Sequence, residues 1–368
     1  MDEEKYWVAL NTHNKIGART FTKLLKRFKK LSNLWQQVSK HDLAEAGLDL
    51  AQVDAVLEVI LKKDPDREIE KVKRLGLDVL ILSNPKYPKI LKEVPDAPGI
   101  LYLKGKIEPQ DEAALAIVGS RKYSEYGRRA VEKIVFELKR AKLTIVSGLA
   151  LGIDALAHYE ALENNLRTIA VLGCGLDQIY PVSNIRLADK IIKSGGAIIS
   201  EFPIGMPALR YNFPIRNRII AGLSLGTLVI EGAIESGSLI TAQAAIEYNR
   251  EVFAVPGSIF SEVSQGPNRL IQMGAKMVTN GSDILNELNF PEKIGNIEVN
   301  LIIPDTKEEE ILLRLLSRPV IVDKLIYESK MDSALVNSTL VMLEMKGMVT
   351  NLGGTCYVIK GKLKGNGK

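Results

Sequence analysis

The chain has 368 residues, of which 46% are hydrophobic and 25% charged, with a formal net charge of +5. That length and apolar content support a core for two or three domains, which excludes a disulfide-framed miniprotein or a disordered chain. Only Cys174 and Cys356 are cysteines, no apolar run approaches the roughly 18 to 20 residues of a bilayer span, and the opening MDEEKYWVAL lacks a secretory pattern. A cytoplasmic protein with no membrane partner, no metal and no cofactor is expected.

The first segment, KIGARTFTKLLKRFKK from Lys15 to Lys30, carries seven cations and no acid, with Ile16, Leu24, Leu25 and Phe28 at helical spacing. Further amphipathic stretches lie at Leu34 to Val38 and Val53 to Leu61. Residues 1–63 are therefore expected to form a helical domain, of helix-hairpin-helix or SAM-like type. The turn at Asn14 to Ala18 resembles the hairpin of such modules and would point N–H groups at phosphate. A solvated helix face beside an ordinary glycine turn is the plainer reading. Residues 77–104 mix short apolar runs with prolines and suit strands and turns at a sheet edge.

From Leu115 to Gly281, apolar runs rich in Val, Ile and Leu alternate with longer helical patterns, which predicts strands covered on both faces. The expected fold is α/β, a Rossmann-like doubly wound, mainly parallel sheet over residues 64–290. A linker at 291–304 then leads into helical periods at 308–316, 320–328 and 333–346 followed by two β-like stretches. That order predicts a winged-helix-like domain over 305–361, before a disordered tail at 362–368.

In such sheets ligands bind beyond the carboxyl ends of the strands. Glycines cluster there: Gly119, Ser120 and Arg121 after the first core strand, Gly148 in SGLALGID, Gly173 and Gly175 in GCGLD, and Ser236 and Ser238 in EGAIESGS. Glycine lets an anion approach the amides, so a phosphate-binding rim is expected. The segment ALRYNFPIRNRIIAGLS interleaves Arg210, Arg216 and Arg218 with Tyr211 and Phe213, with Asn217 between the last two arginines. Guanidinium groups grip phosphate and exposed rings stack on unpaired bases. The competing reading places the rings in the core and pairs the arginines with Glu201 or Glu231.

Catalytic chemistry finds little support. His13, His41 and His158 are scattered, neither cysteine has a motif neighbour, and no GxxxxGK[ST] loop occurs. Glu201 and Glu231 both follow core strands, but structural roles for them are preferred over a catalytic pair.

Between Val118 and Ala275 the motifs VGSR, SGLAxGID, GCGLDxxYPxxN, SEFPxG, FPxRNRIIAGLS, SGSLITA, VFAVPG and GxNxLIxxGA occur in order. This set resembles the DNA-processing protein A family, also called DprA or Smf. The resemblance implies a non-enzymatic homodimer that binds and protects single-stranded DNA and loads the RecA recombinase during natural transformation. It implies strand contacts at Arg121, Arg210 and Phe213, with Arg216, Asn217 and Arg218 nearby. It also implies a dimer surface near Asn268, Ile271 and Met277 and a recombinase contact near Gln243 and Ile246. Leu151 stands where the family often has arginine. The presumed recognition helix, Asp332 to Gly347, carries one cation, Lys346, which points to packing or protein contact rather than groove reading.

Two other functions compete. A nucleotide phosphoribohydrolase would use Gly226, Thr227 and Glu231 of SLGTLVIE, although that stretch lacks the paired glycines such enzymes show. A winged-helix regulator sensing a nucleotide conflicts with the sparse positive charge of the recognition helix.

Overall fold

A strand buried on both faces needs unbroken apolar side chains, and the apolar runs of the central segment each form a strand, buried throughout except in the last two, where Glu251, Lys276 and Met277 are exposed. The computed structural model describes residues 3–290 except 37, and 301–363 except 303, 318, 352, 354, 360 and 361. Residues 291–300 of the expected linker and 364–368 of the expected tail lie outside the described residues. The chain divides into two compact units, Met1–Glu292 and Lys293–Lys368.

In the first unit the strands are β1 (Asp78–Ile81), β2 (Ile100–Gly105), β3 (Ala114–Val118), β4 (Thr144–Ser147), β5 (Thr168–Val171), β6 (Ala197–Ser200), β7 (Gly226–Val229), β8 (Glu251–Ala254) and β9 (Lys276–Met277). They form one sheet in the order β1-β2-β6-β5-β4-β3-β7-β8-β9. Pairing from β6 to β9 is parallel, whereas β1 and β2 add antiparallel at one side of the sheet with β1 at its edge, where the proline-punctuated segment was expected to supply strands. Chain order runs outward from β3 to β6 and then restarts on the other side at β7. This reversal places the crevice of a doubly wound sheet beside β3.

Six helices precede the sheet: α1 (Glu4–Asn11), α2 (Ala18–Phe28), α3 (Asn33–Gln36), α4 (Lys40–Glu45), α5 (Leu50–Lys62) and α6 (Pro65–Arg74). Capping boxes start α4 and α5, where Ser39 and Asp42, and Asp49 and Gln52, satisfy each other's amides. Asp64 caps α6, with Pro65 in its first turn. The helices share a core with the underside of the sheet, since Trp7, Phe21, Leu24 and Val56 cluster with Tyr102, Leu172 and Ile198. The boundary expected between residues 63 and 64 falls in the turn between α5 and α6, and α1 packs on both of these helices.

The remaining helices cover the sheet. They are α7 (Lys89–Lys92), α8 (Glu125–Leu138), α9 (Ile153–Glu163), α10 (Ile185–Lys193), α11 (Asn212–Gly222), α12 (Gly237–Glu247), α13 (Gln265–Gln272) and α14 (Gly281–Glu287). Leu91 of α7, Ile219 and Ile220 of α11, Ala242 of α12 and Leu270 of α13 pack on one face. Val131 and Val135 of α8, Ala157 of α9 and Ile284 of α14 pack on the other.

The second unit contains β10 (Leu301–Ile302), α15 (Lys307–Leu315), β11 (Val320–Ile321), α16 (Val322–Ser329), α17 (Ser333–Met345), β12 (Val349–Asn351), β13 (Cys356–Ile359) and β14 (Lys362–Leu363). Three helices around Leu312, Leu325 and Leu340 with the sheet β11-β13-β12 make a winged helix.

The helical layer is locked to the sheet at one tight place. Phe21 stacks on Trp7 with ring centroids 4.9 Å apart, and a Cβ on Gly99 would lie 2.7 Å from the Phe21 ring. Gly99→Ala is expected to destabilise the first unit by about 1 to 3 kcal/mol, as overpacked cores do. Urea titration of the full chain measures this, and an unchanged midpoint would contradict the packing.

Candidate nucleic-acid interface

Helix α11 begins at the carboxyl rim of the sheet because Asn212 donates to the carbonyls of Gly173 (3.0 Å) and Pro207 (3.2 Å). Phe213 follows, half-buried, and its ring lies against the backbone of Gly173, where a Cβ would come within 3.0 Å of it. The Arg121 guanidinium, from the loop after β3, sits over this ring at 5.7 Å, and that of Arg216 lies 6.0 Å from the same ring. Tyr180 adds a second ring at 5.7 Å, tilted by 34°. Arg121, Arg210 and Tyr211 are exposed. The loops after β3, β5 and β6 thus converge on one aromatic and cationic spot. Cation–π contacts of this kind contribute about 0.5 to 2 kcal/mol.

A cleft of about 40 Å³ opens there, lined by Arg121, Leu151, Gly173, Tyr180, Phe213 and Arg216.

Several of the residues expected to touch the strand have other work. Arg216 is 4% exposed, and its guanidinium donates to Gly148 O at 2.5 Å and also to Val171 O. Arg218 is engaged by Glu201 and by the carbonyl of Asp96. Asn217 is buried and donates to Gly237 O at 3.0 Å. These three side chains build the floor and flank of the rim, which corrects the expectation that they face the ligand.

The glycine edge is corrected too. Asp154, at the first turn of α9, accepts the amides of Gly148, Ala150 and Gly119, so a carboxylate already fills the nest expected to cradle phosphate. Gly119 is needed for packing, since a Cβ would lie 2.7 Å from Ile153. The Gly175 amide is bonded to Met206 O, and a Cβ there would lie 2.5 Å from Asp177 and Pro203. Ser120 closes its own loop on Lys122 (2.8 and 3.1 Å). Ser236 caps α12 and meets Ser238 at 2.8 Å.

The carboxylates following the strands have partners within the chain. Glu201 pairs with Arg218, and Glu231 accepts from the amide and hydroxyl of Ser124 at 2.8 and 2.5 Å. Gly226 and Thr227, required for the phosphoribohydrolase reading, lie within β7 and are buried there.

Burial governs the titrating groups beneath the rim. It pushes Asp154 up and Arg216 down, while the proximity of the two charges opposes both shifts. It raises Glu201 to about 7 against the pull of Arg218, and Cys174 to about 11. His158 is wholly buried, bonded through Nδ1 to Thr168 at 2.7 Å, and held down to about 3 by burial and then by Arg216.

Sequence reasoning passed over three members of this arrangement. Tyr180 lay in plain view within YPxxN, and Leu151 was treated only as a missing arginine. Asp154 was invisible because no sequence pattern distinguishes an amide-filling carboxylate from a helix cap. The surfaces implied by resemblance are mixed. Asn268 clamps Gly257 through two bonds (3.0 and 3.1 Å) and Ile271 is partly buried, whereas Met277, Gln243 and Ile246 are exposed.

A mainly parallel sheet with arginine and aromatic side chains at its carboxyl rim, in a chain that also carries a winged helix, defines a Rossmann-like, winged-helix class of protein. The chain belongs to the DNA recombination-mediator protein A family, whose model matches residues 78–289, and the DprA winged helix domain matches residues 300–355. Protein Smf of Escherichia coli is 49% identical over 204 residues, covering 55% of this chain and 54% of the relative, so the chain matches about half of that protein's length. The DNA processing protein DprA of Bacillus subtilis is 38% identical over 267 residues, covering 70% of this chain and 89% of the relative. Among solved structures, DprA of Streptococcus pneumoniae superposes with a TM-score of 0.69 at 38% identity, covering 77% of this chain and 97% of that one. DNA processing protein A of Helicobacter pylori, described in terms of its single-stranded DNA binding mode, gives 0.52 at 30% identity, covering 58% and 95%.

A histidine whose folded pKa is depressed must be protonated on unfolding, so its contribution is present above 6.5 and lost as pH falls toward about 3. His158→Gln removes that proton uptake. Wild-type stability is expected to fall relative to the variant by up to about 1.4 kcal/mol per pH unit across this window. Parallel slopes in urea titrations at pH values spanning it would contradict a buried neutral imidazole.

Proposed function

We propose that the protein binds single-stranded DNA along the carboxyl rim of its sheet and acts by binding rather than by covalent chemistry. The observation that carries this reading is the half-exposed Phe213 ring, held beside the Arg121 and Arg216 guanidiniums and against Tyr180. A partly exposed ring whose Arg121 neighbour comes from a surface loop can stack on any unpaired base, and exposed Arg121 and Arg210 supply phosphate contacts. Duplex bases are already stacked on each other, so single strands are favoured. The finer reading is a cytoplasmic homodimer that protects incoming strands and delivers them to the RecA recombinase during transformation, and it rests on family membership.

The winged helix takes a different role in this proposal. The only cation at the end of its recognition helix, Lys346, is bound by Asp305 and Glu309, each at 2.6 Å. Leu335, Val341, Met342 and Met345 are exposed along the same helix. An apolar helix face with its cation engaged suits protein contact better than a DNA groove. Tight duplex binding by residues 305–361 would refute this assignment.

Phe213→Ala is expected to weaken binding of a labelled oligothymidylate by about 1 to 3 kcal/mol. Arg121→Ala is expected to lower affinity and reduce the slope of log affinity against log salt by about one. Fluorescence anisotropy at two salt concentrations reads both. Wild-type affinity in both variants would overturn the proposed interface.

A further inference from the structure

The segment from Arg121 to Tyr126, a loop that runs into the first turn of α8, is anchored at both ends across the reversal point of the sheet. At one end Arg121 lies over Phe213, on the β5 and β6 side. At the other, the Tyr126 hydroxyl donates to Pro256 O at 2.6 Å, just beyond β8. Between and beside these anchors the loop presents Lys122 and Tyr123 to solvent, with Tyr123 41% and Tyr126 51% exposed. Like the Arg210 to Phe213 segment, this one sets a cation just before two aromatic side chains.

We infer that Tyr123 and Tyr126, with Lys122, form a second stacking station for single-stranded DNA, so that the polymer runs along the rim from Phe213 toward β8. This rests on the binding reading above and gives it a direction and a length. Adjacent strands lie about 4.8 Å apart, and β5 to β8 spans four such steps, or about 19 Å. At about 3.4 Å per stacked nucleotide that distance accommodates about five or six.

The local charge permits such a path. Glu125, the one acid of this loop, is held well ionised at about 2 by hydrogen bonds from Arg128 and then Arg129, and those two cations offset it. Arg121 and Lys122 then remain to attract phosphate, with no carboxylate within ion-pairing distance among the described residues. Tyr126 is fixed by its hydroxyl, which leaves its exposed ring preorganised and lowers the ordering cost of stacking.

Length-dependent binding by the full chain tests this. Oligothymidylates of about four and about twelve nucleotides are titrated into wild type, Phe213→Ala, Tyr123→Ala and Tyr126→Phe. Tyr123→Ala is expected to weaken the longer strand by about 5- to 100-fold and the shorter one much less. Tyr126→Phe keeps the ring but loses its anchor on Pro256 O, so long-strand affinity is expected to fall by less than in Tyr123→Ala, and a fall larger than that of Tyr123→Ala would remove Tyr126 from the station and leave it only a role in holding the segment. A longer strand substituted with 5-bromodeoxyuridine is also photo-crosslinked to wild type, with adducts expected on the peptide bearing Tyr123 and Tyr126. Unchanged long-strand affinity in Tyr123→Ala, or adducts confined to Tyr180 and Phe213, overturns the second station while leaving the first intact. Failure of the wild type to bind either strand overturns the binding reading itself.

Discussion

The rim depends on one buried arginine. Arg216 reaches from α11 under Phe213 to the carbonyls of Gly148 and Val171, joining the loops after β4 and β5 to the helix that follows β6. A guanidinium has five donors in a rigid fork and can bridge two backbone segments that have no acceptor-matched neighbours of their own. Burying it is costly, and the proximity of Asp154, itself held by three amides, offsets the cost. With the floor fixed this way, Phe213 has a single place to lie. Arg121 then finds a ring face to rest on.

Much of the architecture was legible in the amino-acid order. Seven apolar runs of the central segment became β3 to β9, and 77–104 supplied the two antiparallel edge strands, because two-sided burial leaves a strong and local signature. The winged helix was legible for a similar reason, as its helices begin and end within two residues of the hydrophobic periods. What did not show was how the helical segment shares its core with the sheet. Phe21 against Gly99 is a contact between residues far apart in sequence, and no periodicity encodes it.

The site was legible in part. Arg121 and Phe213, from different loops, meet at one rim, and Arg210 lies exposed just before the helix that carries Phe213. Arg216, Asn217 and Arg218 share their composition but lie on the inner side of α11, and a helix with apolar residues on several sides gives no reliable sign of which way an arginine faces. The glycines misled for a related reason. Close packing and anion binding both demand a missing Cβ, and only the position of Asp154 separates the two uses.

That carboxylate has a consequence for how a polymer is held. Because Asp154 occupies the amides of Gly119, Gly148 and Ala150, a bound phosphate would meet exposed arginine side chains at the water boundary instead of that backbone cradle. Contacts of that sort break and reform one at a time, without a single deep well to climb out of. On the proposed reading, such a grip permits lateral diffusion along the strand and lets a competing protein displace this one stepwise from one end.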